Sequence, residues 1–179
     1  DRSLIEEKQA NDMFRALQYE VGVLMQATGR GQASPFIRGV TGQQVLVLID
    51  GIRLNNTVLR AGPNQYFNTI DPGQVERVEV LRGGGSVLWG GDAIGGAINI
   101  ISKRPTDELS VDFKLGAGDY SYNNVVAAVS GPIITDWLRY RVAGQREQRD
   151  GVDYNYGTGE NESWALNDYY LEFQLEGDI

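Results

Sequence analysis

Downstream of residue 108 apolar residues fall at every second position, and this alternation most restricts the folds open to the chain. Leu109, Val111, Phe113, Leu115 and Ala117 alternate with Ser110, Asp112, Lys114 and Gly116. Leu138, Tyr140 and Val142 alternate with Arg139, Arg141 and Ala143, and Tyr169, Leu171, Phe173 and Leu175 with Tyr170, Glu172, Gln174 and Glu176. Val125, Ala127 and Val129 form a weaker set, blurred by Val126 and Ala128. Successive side chains of a strand point to opposite faces, so each segment reads as a strand with one greasy and one polar side. By pattern alone, a water-soluble sheet with one buried face fits as well as a transmembrane barrel whose apolar side meets lipid. Connection lengths tip the balance. Residues 119–122 and 131–136 are short connections and 148–167 is a long polar one, matching short periplasmic turns, here at Gly131-Pro132, and longer extracellular loops.

Charge divides the chain near the same point. Up to Asp107 there are 11 basic and 11 acidic residues; from Glu108 onward there are 5 and 13, which accounts for the net charge of −8. Such a balance argues against nucleic-acid binding, which needs a basic face. With no His and no Cys, the commonest zinc ligands, thiol nucleophiles and His-dependent catalytic arrangements are unavailable. No run of 18 apolar residues offers a spanning helix, and no basic start followed by an apolar stretch suggests a signal peptide. Any membrane reading must therefore come from strands. The polar, proline-containing joint 102–107 sets a domain boundary, with residues 1–105 on one side and 106–179 on the other.

The first domain reads as mixed α+β. Ser3 to Glu6 has the form of a capping box, with Asn11 a second possible helix start. Gly22 stops the helices, a weak strand follows at 23–26, and residues 28–34 read as a glycine-flanked loop. Phe36-Ile37-Arg38 reads as a short strand. Val45 to Ile49 is a continuous apolar run, the pattern of a strand buried on both faces, ended by Asp50-Gly51. Residues 53–70 read as an exposed loop, and Asp71-Pro72 as the cap and first turn of a helix about one turn long. A strand through Val75, Val78 and Val80 ends at Arg82. Glycine then fills 7 of the 14 positions from Gly83 to Gly96. The segment lacks the Lys-Ser/Thr of a phosphate loop and the strand-to-helix setting of a dinucleotide fingerprint. Its glycines are therefore expected to permit tight turns and close backbone approach. Glu76 and Glu79 are the tempting pair for a carboxylate hydrolase, but residues three apart on a strand face opposite sides.

Phe36-Ile-Arg-Gly39, Val47-Leu-Ile-Asp-Gly-Ile-Arg53, Ile70-Asp-Pro-Gly-Gln-Val-Glu-Arg-Val-Glu-Val-Leu-Arg-Gly83, Ser86-Val-Leu-Trp-Gly90 and Ala93-Ile-Gly-Gly-Ala-Ile-Asn-Ile-Ile-Ser-Lys-Arg-Pro105 follow one another in order. Together they resemble the plug domain of TonB-dependent outer-membrane receptors, of the siderophore and vitamin B12 type. The resemblance covers residues from about 4 to 105 and implies an α+β plug domain followed by antiparallel transmembrane β-barrel strands, the start of a plugged barrel of about 22 strands. Four strands cannot close a barrel, and an open edge is not tolerated in hydrocarbon. The sequence is therefore expected to be part of a longer chain, with the TonB-contacting segment also outside it.

The function so implied is not enzymatic and needs no cofactor. A scarce nutrient chelate, such as a ferric siderophore, cobalamin or a haem-like group, is bound outside and imported with energy from TonB and its inner-membrane complex. Outer-membrane lipid is a further partner. Arg38 and Arg82 resemble two plug arginines that pair with glutamates on the barrel wall. Glu76 and Glu79 are expected to complete that network, and Glu172 or Glu176 is available on the wall. Substrate contact is expected from the apical loops through Arg30, Gln43, Asn56, Arg60, Asn64, Gln65 and Tyr66, and from the long loop through Tyr154, Tyr156 and Trp164. That loop also holds Asp150, Asp153, Glu160 and Glu162, but an EF-hand reading fails because Gly157 occupies the fifth position counted from Asp153. A soluble secreted or periplasmic α+β binding protein remains the competing reading.

Overall fold

The computed structural model describes residues 2–7, 10, 12–29, 32–54, 67–85, 89–134, 137–151, 153–155, 160–163 and 166–177. The chain divides into two compact units, Asp1–Lys103 and Arg104–Ile179.

The first unit opens with two short helices, α1 (Arg2–Glu7) and α2 (Met13–Leu17). Ser3 lies inside α1 rather than capping it, and the second start is capped by Asp12 in place of Asn11: the Asp12 carboxylate accepts from Arg15 N at 2.7 Å. Helices this short have little stability of their own. Burial of Ile5, Met13, Ala16 and Leu17 holds them on the core. The weak strand and loop read at 23–34 are instead one antiparallel hairpin, β1 (Val23–Gly29) with β2 (Gln32–Ile37), paired from Val23↔Ile37 to Gly29↔Gln32. Pro35 is accommodated because this sheet has only two strands, leaving an edge where no donor is required.

The main sheet has the order β4-β3-β6-β5, built from β3 (Val45–Ile49), β4 (Ile52–Arg53), β5 (Val75–Arg82) and β6 (Gly96–Ser102). The parallel pair β3–β6 lies at its centre. β3 is buried on both faces, as its unbroken apolar run implies. Val45 and Val47 join a core with Ile37, Phe67, Val75, Ile98 and Ile100, while Leu46 and Leu48 pack with Ala93 and Ala97. Asp50 and Gly51, with φ of 49° and 80°, make the two-residue turn into β4 favoured between tightly twisted strands. The Asp50 carboxylate then accepts from Ser102 N at 2.9 Å and Ser102 Oγ at 2.6 Å, tying the turn to β6. Asp71 caps a single 3-10 turn, Pro72–Gln74, through Gly73 N at 2.7 Å.

Close approach explains the glycine-rich segment. A Cβ on Gly95 would lie 2.1 Å from Val40 Cγ2, 3.1 Å from Ile37 O and 3.3 Å from Gln44 O. Gly95 also donates to Gln44 O at 2.9 Å and accepts from Gly83 N at 3.2 Å.

The second unit is an antiparallel sheet of order β12-β9-β8-β7, formed by β7 (Ser110–Gly118), β8 (Tyr122–Ile134), β9 (Leu138–Arg149) and β12 (Leu166–Gly177). A separate small hairpin, β10 (Asp153–Asn155) with β11 (Glu160–Ser163), occupies part of the long connection. The strands outrun their alternating cores. In particular, Gly131 and Pro132 belong to β8 and do not form its turn, which comes after Ile134. Pairing of β7 with β8 ends at Ser110↔Ser130, so Pro132 sits where β7 no longer asks for a donor, and the β8–β9 register shifts beside it. Val111–Val129–Val142–Phe173 form one cross-strand row and Ser110–Ser130–Arg141–Gln174 the adjacent row on the other face. Leu109, Val111, Phe113, Leu115, Tyr169, Leu171, Phe173 and Leu175 are exposed on the first face, whereas Arg141, Gln145 and Glu147 are buried on the second. Among the described residues no helix is long and apolar enough to cross a membrane.

Gly95→Ala is expected to lower stability by about 1–3 kcal/mol through overpacking, seen as a lower thermal or denaturant midpoint. Gly91, with nothing within 4 Å of its Cβ position, serves as the control, and Gly91→Ala is expected to stay within about 0.5 kcal/mol.

Candidate functional site

Arg38 lies against Gly83, the residue that follows Arg82, whereas the Arg82 side chain runs to Gly22 and Glu20. Arg38 is not the end of a strand: with Gly39 it forms a tight turn at φ of 54° and 80°. That turn is closed by Ile37 N to Val40 O at 3.0 Å and Val40 N to Ile37 O at 3.2 Å. A left-handed conformation in a non-glycine residue costs roughly 1–2 kcal/mol; the two hydrogen bonds and the buried Ile37 hold it there. The turn lays the Arg38 guanidinium 3.4–3.5 Å from the Cβ position of Gly83. One residue earlier, Arg82 Nη2 donates to Glu20 Oε1 at 2.7 Å, and its Cδ lies 3.2 Å from the Cβ position of Gly22. The Arg82 and Glu20 side chains are 42% and 35% exposed, so this pair contributes no more than about 1 kcal/mol. Chemically, each guanidinium is a planar fork suited to a carboxylate. Among the described residues no acidic side chain pairs with Arg38.

Among the described residues neither Glu76 nor Glu79 pairs with Arg38 or Arg82. Glu79 accepts from Arg77 Nε at 2.9 Å and Asn99 Nδ2 at 3.3 Å. Arg82 stands three positions along β5, on the opposite face. Glu76 is exposed and has no partner among the described residues. The hydrogen bonds from Arg77 and then Asn99 hold the Glu79 carboxyl below its ordinary value. Asn99 Oδ1 in turn accepts from Gly51 N at 3.1 Å, so the chain of contacts reaches the β3–β4 turn.

Two further clusters carried no role in the sequence reading. Arg53 forms an ion pair with Asp92 and donates from Nη2 to Trp89 O at 2.9 Å, clamping the glycine-rich segment to β4. In the second unit, residues 104–108 are fastened to the first strands. Thr106 N donates to Ser130 Oγ at 2.9 Å and Thr106 Oγ1 to Glu108 O at 2.8 Å, while Ser130 Oγ donates to Tyr140 O at 3.1 Å. Asp107 pairs with Arg139 and Arg104 with Glu176. Both clusters touch quoted motif segments, through Arg53 and Trp89 in the first and Arg104 in the second, and Glu176 was a candidate wall carboxylate.

Of the residues expected to touch substrate, Gln43 is exposed in the 3-10 turn Gly42–Gln44 that precedes β3. Tyr154 lies on β10. Arg30, Asn56, Arg60, Asn64, Gln65, Tyr66, Tyr156 and Trp164 lie outside the described residues. Among the described residues no group of three or more acidic side chains is gathered as a metal site.

Residues 1–97 match the family model described as TonB-dependent Receptor Plug Domain. The vitamin B12 transporter BtuB of Vibrio vulnificus is 36% identical over 156 residues, covering 83% of this chain and 24% of that protein. The iron-regulated outer membrane virulence protein of Vibrio cholerae is 34% identical over 190 residues, covering 99% and 28%. Among solved structures, the pyoverdine outer membrane receptor FpvA from Pseudomonas aeruginosa matches with a TM-score of 0.78 at 25% identity, over 99% of this chain and 24% of that one. The siderophore receptor PirA from Acinetobacter baumannii matches at 0.68 and 29%, over 88% and 25%. The chain thus spans about a quarter of the length of these relatives.

Because Glu79 is held below its ordinary value, its contribution to stability is present above the unfolded carboxylate pKa and is lost as pH falls through the folded value. The stability difference between wild type and Glu79→Gln, followed by denaturant titration across pH, is expected to be positive at neutral pH and to vanish in acid. A difference independent of pH contradicts the Arg77–Glu79–Asn99 account.

Proposed function

We propose, for a chain that belongs to the TonB-dependent receptor plug-domain family, that the whole protein is an outer-membrane receptor. It binds a scarce metal chelate or vitamin outside and imports it into the periplasm with energy delivered by TonB. The observation that carries this reading is the sheet of the second unit: one face is a continuous array of exposed Leu, Val, Phe and Tyr, the other is polar, and it follows directly on a plug-type unit. In water such a face is a liability; against hydrocarbon it is the required surface. Leu171, 86% exposed in the middle of β12, is at home only against lipid.

The residue roles follow from that frame. Arg38 and Arg82 offer their guanidinium forks to carboxylates of the barrel wall, which keeps the plug seated by orientable, releasable bonds instead of an apolar seal. Gln43 and the loop residues Arg30, Asn56, Arg60, Asn64, Gln65 and Tyr66 meet the substrate from the plug side, and Tyr154, Tyr156 and Trp164 from the outer loop. No covalent step is required, because the receptor's task is selective binding and vectorial release. Relatives named for vitamin B12 and for siderophores support the class of cargo.

Growth tests the transport role. A strain lacking the gene is expected to lose growth on one iron or cobalt chelate, regained with the intact gene only when TonB is present; growth on every chelate, or rescue without TonB, sinks the reading. The membrane face is tested separately. Leu171→Arg is expected to cost about 2–4 kcal/mol at mid-bilayer and to deplete folded receptor from outer membranes, while Gln174→Arg on the polar face leaves its level intact. In a soluble protein Leu171→Arg would be harmless.

A further inference from the structure

We infer that the lipid-facing side of the sheet carries a built contact for the phosphate of an anionic lipid in the outer leaflet, made by Arg146 with Tyr169 and Gln148. The inference rests on the outer-membrane reading above. Among the outward-facing residues of β7, β8, β9 and β12, Arg146 is the one that carries a charge. Its row is Leu115–Val125–Arg146–Tyr169; the row on one side is Phe113–Ala127–Gly144–Leu171, wholly apolar, and the row on the other is Ala117–Asn123–Gln148–Asn167, mostly polar. Arg146 therefore stands where hydrocarbon ends.

Spacing gives the same position. From exposed Trp137, at the short β8–β9 turn, to Arg146 the strand rises about 30 Å, or about 23 Å along the membrane normal at a tilt near 40°. An apolar band of roughly 25 Å between aromatic girdles is what a membrane barrel presents. Trp137 marks one boundary and Tyr169, directly opposite Arg146 on β12, the other. The long connection leaves β9 at the Arg146 end, which is the outer side. At mid-bilayer an arginine on this face would be costly, whereas at the boundary the cost falls away and a phosphate turns it into a gain.

The side chain is set for such a ligand. Its guanidinium lies 5.6 Å from the Tyr169 ring centroid and donates from Nη2 to Gln148 Oε1 at 3.0 Å. Ring and amide fix the plane of the fork, yet no acidic side chain neutralises it among the described residues, and donors remain for an anion. Beside it Gly144 leaves a shallow notch, where an added Cβ would meet only Tyr170 O at 3.8 Å. With Ala127 alongside, the notch runs into the apolar belt and fits an acyl chain below the headgroup.

Intact, detergent-purified receptor is placed in phosphatidylcholine nanodiscs doped with a photo-crosslinkable phosphatidic acid, and crosslinks are mapped by peptide. Wild type is expected to concentrate them on peptides spanning 140–149 and 166–175. Arg146→Gln is expected to reduce them at least fivefold and Gly144→Leu to reduce them severalfold, with crosslinks of a phosphatidylcholine analogue unchanged by Arg146→Gln and nutrient uptake unaffected in both variants. Unchanged crosslinking in Arg146→Gln, or no enrichment on these peptides in wild type, overturns the lipid contact while leaving the receptor reading in place. A protein that stays monodisperse without detergent overturns both.

Discussion

The two-faced register of β7, β8, β9 and β12 is the constraint on which the second unit depends. Side chains alternate strictly along a strand, so a slip of one residue in any pairing would send Arg141, Gln145 and Glu147 to the apolar side and Val142 to the polar one. Burying an unpaired charge costs several kcal/mol, and moving several at once is prohibitive. The polar row Ser110–Ser130–Arg141–Gln174 therefore fixes the register as firmly as the apolar row beside it. Within hydrocarbon the backbone has no water to fall back on, so a pairing error would also leave donors and acceptors unsatisfied.

The first unit solves a different problem, how to pack a small sheet on both faces with short elements. β3 buries side chains in both directions, which requires cover on each side: the helices and the β1–β2 hairpin contribute to one core, and the segment around Ala93 to the other. That second cover has to lie close, and Gly95 makes it possible by removing the atom that would strike Val40. Arg53 then holds the same segment through Asp92 and Trp89 O. Charged side chains on this unit lie mainly at turns and strand ends, where a half-exposed ion pair orients elements without a large desolvation cost.

Wherever a single local pattern decides the structure, the sequence was readable. The alternation of β7 and β12, the unbroken run of β3, the Asp71-Pro72 cap and the glycines needed for close approach are all of that kind. The β1–β2 hairpin was not, because β2 is buried on both faces, with small residues such as the adjacent Ala33 and Ser34, and so leaves little periodic trace. Arg38 looked like a strand residue because nothing in its own chemistry announces a left-handed turn; Gly39 and the return of Val40 to Ile37 impose it. Pro132 suggested a turn by composition, whereas the early end of β7 pairing makes a proline harmless within β8. At the candidate site, Arg38 and Arg82 were legible as motif residues. The partnership of Arg82 with Glu20 was not, since it joins residues 62 positions apart.

The joint at residues 104–108 shows how local chemistry sets the mechanics of such a chain. Thr106 is bonded to Ser130, whose hydroxyl is itself bonded to Tyr140 O, so the joint is tied through one hydroxyl to both β8 and β9. Asp107 with Arg139 and Arg104 with Glu176 add charge-assisted ties to β9 and β12. Each tie is worth little alone, of order 1 kcal/mol where water has access. Together they reach three strands, β8, β9 and β12. Lys103 N, just before the joint, is instead bonded to Gln74 O in the first unit. The peptide between Lys103 and Arg104 is thus the point where the chain passes from one set of anchors to the other.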